Sequence, residues 1–162
     1  MKSKIIIPIL LGFFVMGFVD VVGISTNYVK VDFNLPDTMA NLLPSAVFLW
    51  FFVFSIPTGL LMARWGKRKV VAASMLVTSI AMLLPFVTYS FATMMLTFAL
   101  LGVGNTMLQV SLNPLCAGLV DKNRQASILT WGQFIKAISS FLGPILASAA
   151  ALCTGEWMMV FA

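Results

Sequence analysis

Apolar residues fill this chain in blocks too long for a strand and too uniform for the one-sided stripe of a soluble helix. The blocks cover about residues 5–29, 42–64, 70–88, 91–117 and 126–151, and a sixth starts near Trp157, at 157–162. Each of the first five holds 19 or more mostly apolar positions, enough for a helix to cross a hydrocarbon layer of about 30 Å. The first would be roughly 37 Å long as a helix, a tilted crossing. The pattern predicts an all-α fold, a polytopic bundle of membrane-spanning helices with short connections and no inserted soluble domain.

Composition strengthens that reading. The 162 residues are 60% hydrophobic and 9% charged, where a soluble domain carries about a quarter charged residues. The formal charge of +5 does not point to nucleic acid, because the basic residues sit in short clusters between apolar blocks and line no single face. Those clusters orient the spans. Lys2 and Lys4 precede the first; Arg64, Lys67, Arg68 and Lys69 separate the second and third; Lys122 and Arg124 separate the fourth and fifth. The positive-inside tendency puts these ends and the N-terminus in the cytoplasm, and the connections holding Asp32 with Asp37, Tyr89 with Ser90, and Glu156 outside. The first block is too long for a cleaved signal peptide and lacks an Ala-x-Ala-like site. The expected location is the cytoplasmic (inner) membrane, in contact with lipid. Cys116 and Cys153 fall on opposite sides of this topology and read as packing residues. Between Lys30 and Asn41, Pro36 and its flanking acids predict a turn or a short interfacial helix.

The chain has no His, no HExxH, no nucleotide-binding glycine pattern and no carboxylates at metal-ligand spacing. No metal or cofactor is expected, and an enzyme ranks behind the non-enzymatic readings. What chemistry there is lies inside the spans. Asp20 stands in the first and Lys136 in the fifth, where a charge is costly unless it is paired or faces a hydrated cavity. Counted from the cytoplasmic ends, Asp20 lies about 7 Å further outward than Lys136, within reach of an extended lysine. Either the two communicate directly or through water, or Lys136 is satisfied by backbone and solvent while Asp20 is a local structural acid.

The fourth span carries the densest polar run, in which Asn105, Gln109 and Asn113 recur every four residues on one helix face. Such amides offer donors and acceptors to a hydroxyl-rich ligand, or serve as interhelical glue worth about 1 kcal/mol per bond. Gly102 and Gly104 read as close-packing positions, and Pro114 as a site of bending. In the fifth span, Thr130, Gln133, Lys136 and Ser140 form a polar stripe, followed by Gly143 and Pro144 as a close approach and kink. Asn27 and Tyr28 suit an external mouth. Trp50 reads as lipid-facing or core packing, with stacking on a sugar ring as the alternative.

The segment from Gly59 through Ala63, Arg64, Trp65 and Gly66 to Lys67, Arg68 and Lys69 resembles the loop between the second and third helices of major facilitator superfamily transporters. Gly59, Arg64, Gly66, Lys67 and Arg68 fit its pattern, whereas Ala63 stands where the family has an acid. The resemblance implies that this loop gates movement between two halves, less the charge interaction that the acid supplies. Gly17 to Asp20, Pro57 to Leu60, Gly102 through Gln109 to Pro114, and Gln133 are similar to the fucose–galactose–glucose:proton symporter branch. That likeness implies that Asp20 is the first-helix acid of proton-linked sugar transport. It also implies that Asn105, Gln109, Asn113, Gln133 and Lys136 border a substrate cavity. Gln109 falls where the branch has a Glu, and Lys136 where an Asn is common.

The family implies two six-helix bundles with the substrate site between them near the midplane, worked by alternating access. On that basis the chain reads as most of an N-terminal half, truncated or incomplete, with no transport expected from this segment alone. The expected function of the complete protein is secondary active transport of a sugar or related hydroxylated small molecule. The partners implied are that substrate, protons and the C-terminal half. The alternative is a non-transporting membrane scaffold or interaction subunit whose polar faces are filled by one another or by a partner.

Overall fold

The computed structural model describes residues 3–120, 122–155, 157 and 159. Lys2, Glu156 and all of the sixth span except Trp157 and Met159 lie outside the described residues. The chain forms α1 (Ser3–Phe18), a 3-10 turn (Val19–Val21), α2 (Val22–Asp32), α3 (Asp37–Ala40) and α4 (Leu42–Trp65). Then follow α5 (Lys67–Val87), α6 (Phe91–Leu119), a second 3-10 turn (Lys122–Arg124) and α7 (Gln125–Thr154). No strand occurs among the described residues, and five helical stretches are long and apolar enough to cross a membrane.

Two boundaries differ from the sequence expectation for physical reasons. The first block is not one continuous helix. At Val22 the backbone N–H turns to the carbonyls of Asp20 and Val19, a tightened turn that sets Asp20 between α1 and α2. The third span begins at Lys67 and not at 70, because Gly66 reverses the chain alone. Its φ of 84° and ψ of 152° suit a residue without Cβ, so Lys67, Arg68 and Lys69 already belong to the first turn of α5. Of the turn or short helix expected between Lys30 and Asn41, the chain forms a one-turn helix, α3, entered through Pro36. At Ser90 the side chain accepts the N–H of Thr93 at 3.2 Å and caps α6. Both α6 and α7 remain continuous helices past Pro114 and Pro144.

The two ends of the bundle differ in chemistry. At the basic end the Lys67 Nζ donates to the Pro114 carbonyl (3.1 Å) and the Gln125 Nε2 to the Ala117 carbonyl (2.8 Å). These bonds engage carbonyls in the last two turns of α6, toward the end where cations are favoured by the helix dipole. At the opposite end one oxygen of Asp32 accepts both the Tyr89 hydroxyl (2.5 Å) and the Trp157 indole N–H (2.8 Å). Tyr28 stacks on Trp157 with ring centroids 5.3 Å apart. Connections thus meet alternately at one end and the other, the up-and-down arrangement that the charge clusters require.

Packing is centred on α6, which is the most buried of the five apolar stretches. Met94, Phe98 and Leu101 pack with Leu43, Val47 and Val29 in one half of the bundle, and Leu108 and Leu112 pack with Phe13 and Met16 in the other. The helix neighbours approach closely at glycines. A Cβ on Gly102 would lie 2.5 Å from the Val47 carbonyl oxygen of α4, and one on Gly104 would lie 2.5 Å from Thr78 Oγ1 of α5. Away from α6 the outer face of α4 is apolar, with Phe52, Ile56 and Leu60 all strongly exposed, as a face turned to lipid would be. Cys116 is buried, Cys153 is exposed, and both are free.

Candidate functional site

The tight crossing of α1 and α7 builds one side of the site. Gly17 leaves no room for a side chain, since a Cβ there would sit 2.2 Å from the backbone oxygen of Lys136. Next to this contact, Ser139 donates to the Phe14 carbonyl at 2.6 Å. Ser140 reaches the Asp20 carboxylate at 2.5 Å and the Gly17 carbonyl at 3.2 Å. The two serines therefore stitch α7 to the end of α1, where the helix tightens and presents Asp20.

Beside this crossing lies an open cleft of about 440 Å³, within the size range of small-molecule sites. Its polar residues are Asp20, Asn105, Gln109 and Lys136. Pro44, Val47, Phe48 and Phe51 of α4 form an apolar wall, at the spacing that puts side chains on one helix stripe. Asn105 is buried and its Oδ1 has no hydrogen-bond partner within the protein, an unmet acceptor beside the cleft. Asp20 is exposed, and Lys136 and Gln109 are half-buried. Asp20 and Lys136 share the cleft without an ion pair; among the described residues the ion pair is between Lys30 and Asp37, at the far end of α2.

The remaining candidates are placed elsewhere. Asn113 and Gln133 do not line this cleft. Eight residues along a helix rotate a side chain by about 80° and carry it about 12 Å, so Asn113 leaves the face of Asn105. Its Oδ1 is buried without a partner. Gln133 is exposed on α7, near a separate shallow groove of about 380 Å³ bordered by Thr130, Trp131 and Phe134. Trp50 tilts against Phe54 (5.6 Å) outside the cleft, and its neighbours Phe48 and Phe51 supply the aromatic wall. Gly59 faces open space, Gly66 makes the reversal, Lys67 holds the end of α6, and Arg64 and Arg68 are exposed at the same corner.

Sequence reasoning assigned no role to Ser140 beyond its polar stripe, nor to Phe48 and Phe51. A serine one turn after Lys136 and an aromatic pair around Trp50 were the visible signals. The Asp32, Tyr89 and Trp157 cluster joins three distant segments and left no local signal.

Comparison with known proteins agrees with this architecture. The chain is similar to the "Glucose/galactose transporter" of Brucella abortus biovar 1 (strain 9-941) and to that of Brucella abortus (strain 2308). With each it is 27% identical over 144 residues, which cover 86% of this chain and 35% of the relative. The chain thus spans about a third of the length of the curated relatives it matches. The family model of the Major Facilitator Superfamily matches residues 9–162, nearly the whole sequence. With five helices long and apolar enough to cross a membrane among its described residues, this multi-pass membrane chain belongs to the major facilitator superfamily.

Proposed function

We propose that the chain is the N-terminal portion of a secondary transporter. It carries a sugar or a related hydroxylated small molecule across the cytoplasmic membrane, with its N-terminus in the cytoplasm. The observation that supports this most is the open cleft in which Asn105, Gln109, Lys136 and Asp20 converge against Phe48 and Phe51. Amides, an ammonium and a carboxylate give hydroxyl groups both donors and acceptors, and an aromatic wall suits the apolar face of a sugar ring. The relatives, named as glucose/galactose transporters, support the same substrate class. A scaffold whose polar faces filled one another would leave no such cleft within the bundle.

In this reading Asp20 is the proton-coupling carboxylate and Gln109 binds ligand without titrating. Transport proceeds by rocking of this bundle against a C-terminal one, with the cleft between them. Gly59, Arg64, Gly66, Lys67 and Arg68 form the cytoplasmic gating corner. The test is uptake of labelled glucose and galactose by the complete gene product in proteoliposomes, with and without an inward proton gradient. Accumulation that the gradient drives is the expected result; absence of uptake for every carbohydrate tried would remove the transport assignment.

A further inference from the structure

We propose that the substrate is a singly charged sugar acid, a monosaccharide-sized polyol bearing one carboxylate, and that Lys136 binds this group. The inference deepens the sugar-transport reading and rests on it. Its starting point is an ammonium in the cleft with no anion assigned to it. Asp20 is the acid that shares the cleft, and its carboxylate is held by the Ser140 hydroxyl at 2.5 Å with no ion pair to Lys136 within 4.0 Å. The opposite wall, from Val47 to Phe51, contains no charged group.

A lysine at membrane depth is costly unless it snorkels, is hydrated or meets a partner. With Asp20 protonated, a neutral hexose leaves that charge unbalanced when it displaces water from the cleft, whereas a carboxylate neutralises it. Asn105 supplies the second half of the recognition. Asn105 lines the cleft and offers a carboxamide to ligand hydroxyls; Gln109, one turn on, adds a second amide on the same side. A carboxylate for Lys136 together with hydroxyls for the amides describes an acidic monosaccharide. A phosphate ester carries nearly two charges, and the second has no counter-ion beside Asp20.

The charge balance also links this ligand to the proton. Lys136, from α7, is the charged group that shares the cleft with Asp20; α6 contributes the uncharged Asn105 and Gln109, and α4 contributes Pro44, Val47, Phe48 and Phe51. With Asp20 ionised the cleft is neutral, and an entering anion meets a carboxylate as well as an ammonium. With Asp20 protonated the cleft carries one net positive charge and the anion meets only attraction. Proton and anion therefore favour each other's binding. One proton moving with one monoanion transfers no net charge.

The experiment measures uptake and mutual competition of glucose, galactose, glucuronate, galacturonate and gluconate by the complete gene product in proteoliposomes, with a potential-sensitive dye. The expected result is that an acid competes at least tenfold better than either neutral hexose and enters under a proton gradient without changing the membrane potential. Lys136→Asn should reverse that order of preference, and Lys136→Arg should preserve it, which separates loss of charge from loss of folding. Uptake of neutral hexoses in preference to acids, unaltered by Lys136→Asn, would overturn the proposal and leave sugar transport standing. Failure to carry any compound of either class would overturn both.

Discussion

Ser140 and Asp20, 120 positions apart in sequence, are joined by a 2.5 Å hydrogen bond at the crossing of α7 with the end of α1. The same hydroxyl lies 3.2 Å from the Gly17 carbonyl, and its single proton serves only one acceptor at a time. An ionised Asp20 draws that proton to its carboxylate; a protonated Asp20 can donate to the serine oxygen and release the serine proton to Gly17. Ser140→Ala removes both arrangements. Its stability cost should be about 1 kcal/mol or less, since the bond to Asp20 is exposed and that to Gly17 only partly buried. Gradient-driven accumulation should fall several-fold while exchange of labelled for unlabelled sugar continues. Undiminished accumulation in the variant would show that Ser140 only packs.

Asp20→Asn keeps the shape and the hydrogen bond to Ser140 but cannot exchange a proton. In the complete protein it should abolish uphill accumulation and retain downhill exchange, because the cleft still binds ligand. Parallel measurement of accumulation and counterflow separates these steps. Equal proton-driven accumulation in the variant and the unmodified protein would place coupling elsewhere.

Gly17→Ala puts a methyl group where only 2.2 Å separates the Cβ position from the Lys136 backbone oxygen, so α1 and α7 must move apart. A backbone contact cannot yield as a flexible side chain does, and overpacking of this kind costs roughly 1–3 kcal/mol. Gly59→Ala is the matched control, since nothing lies within 4 Å of its Cβ position and alanine favours helix. Thermal unfolding in detergent should show a clear loss for Gly17→Ala and none for Gly59→Ala. Equal midpoints for the two would mean that the crossing is looser than the geometry implies.

At the other end, burial first, then the hydrogen bond to Asp32 and its charge, hold the Tyr89 hydroxyl above the usual tyrosine range. A group whose proton is held more tightly in the folded state stabilises that state below its unfolded value, about pH 10, and loses the contribution as pH rises toward the folded value. Tyr89→Phe should destabilise the folded state at neutral pH by up to about 1 kcal/mol, the loss of one exposed hydrogen bond, and so lower the unfolding midpoint. The difference between the two proteins should then shrink above about pH 10. Midpoints measured from pH 7 to 11 test this, and a gap that stays constant over that range would count against it.

Much of the fold is legible because its signals are local. Apolar length reports the spans, and the basic clusters at Arg64 to Lys69 and at Lys122 with Arg124 report which connections share an end. Gly66 is legible as a turn, but the start of α5 is not, since three consecutive basic residues look like loop until one glycine is seen to complete the reversal alone. The break at Val19 to Val21 is hidden for another reason: Val19, Asp20 and Val21 include no Gly or Pro to mark it, and its serine partners are on α7. The amide series shows the limit of face arguments. A four-residue step drifts by about 40°, so Asn105 and Gln109 stay together over one step and Asn113 departs over two.

That drift yields the last prediction. Asn105 has its unpartnered acceptor beside the cleft, and Gln109 lines the same space, whereas Asn113 has an unpartnered acceptor outside it. If unmet acceptors alone marked binding positions, replacing either asparagine would damage ligand affinity equally. Placement decides otherwise. Asn105→Ala and Gln109→Ala should each weaken binding by about 5- to 12-fold, the loss of one hydrogen bond worth about 1–1.5 kcal/mol. Asn113→Ala should leave affinity within about twofold and act on stability alone, with a sign set by its helix neighbours. Ligand titration by intrinsic fluorescence or calorimetry on the complete protein, with unfolding midpoints in parallel, distinguishes the two effects. A loss of affinity at Asn113 as large as at Asn105 would mean that the ligand lies lower in the bundle, toward the Lys67 end of α6, and that the cleft beside Asp20 is not where it is held.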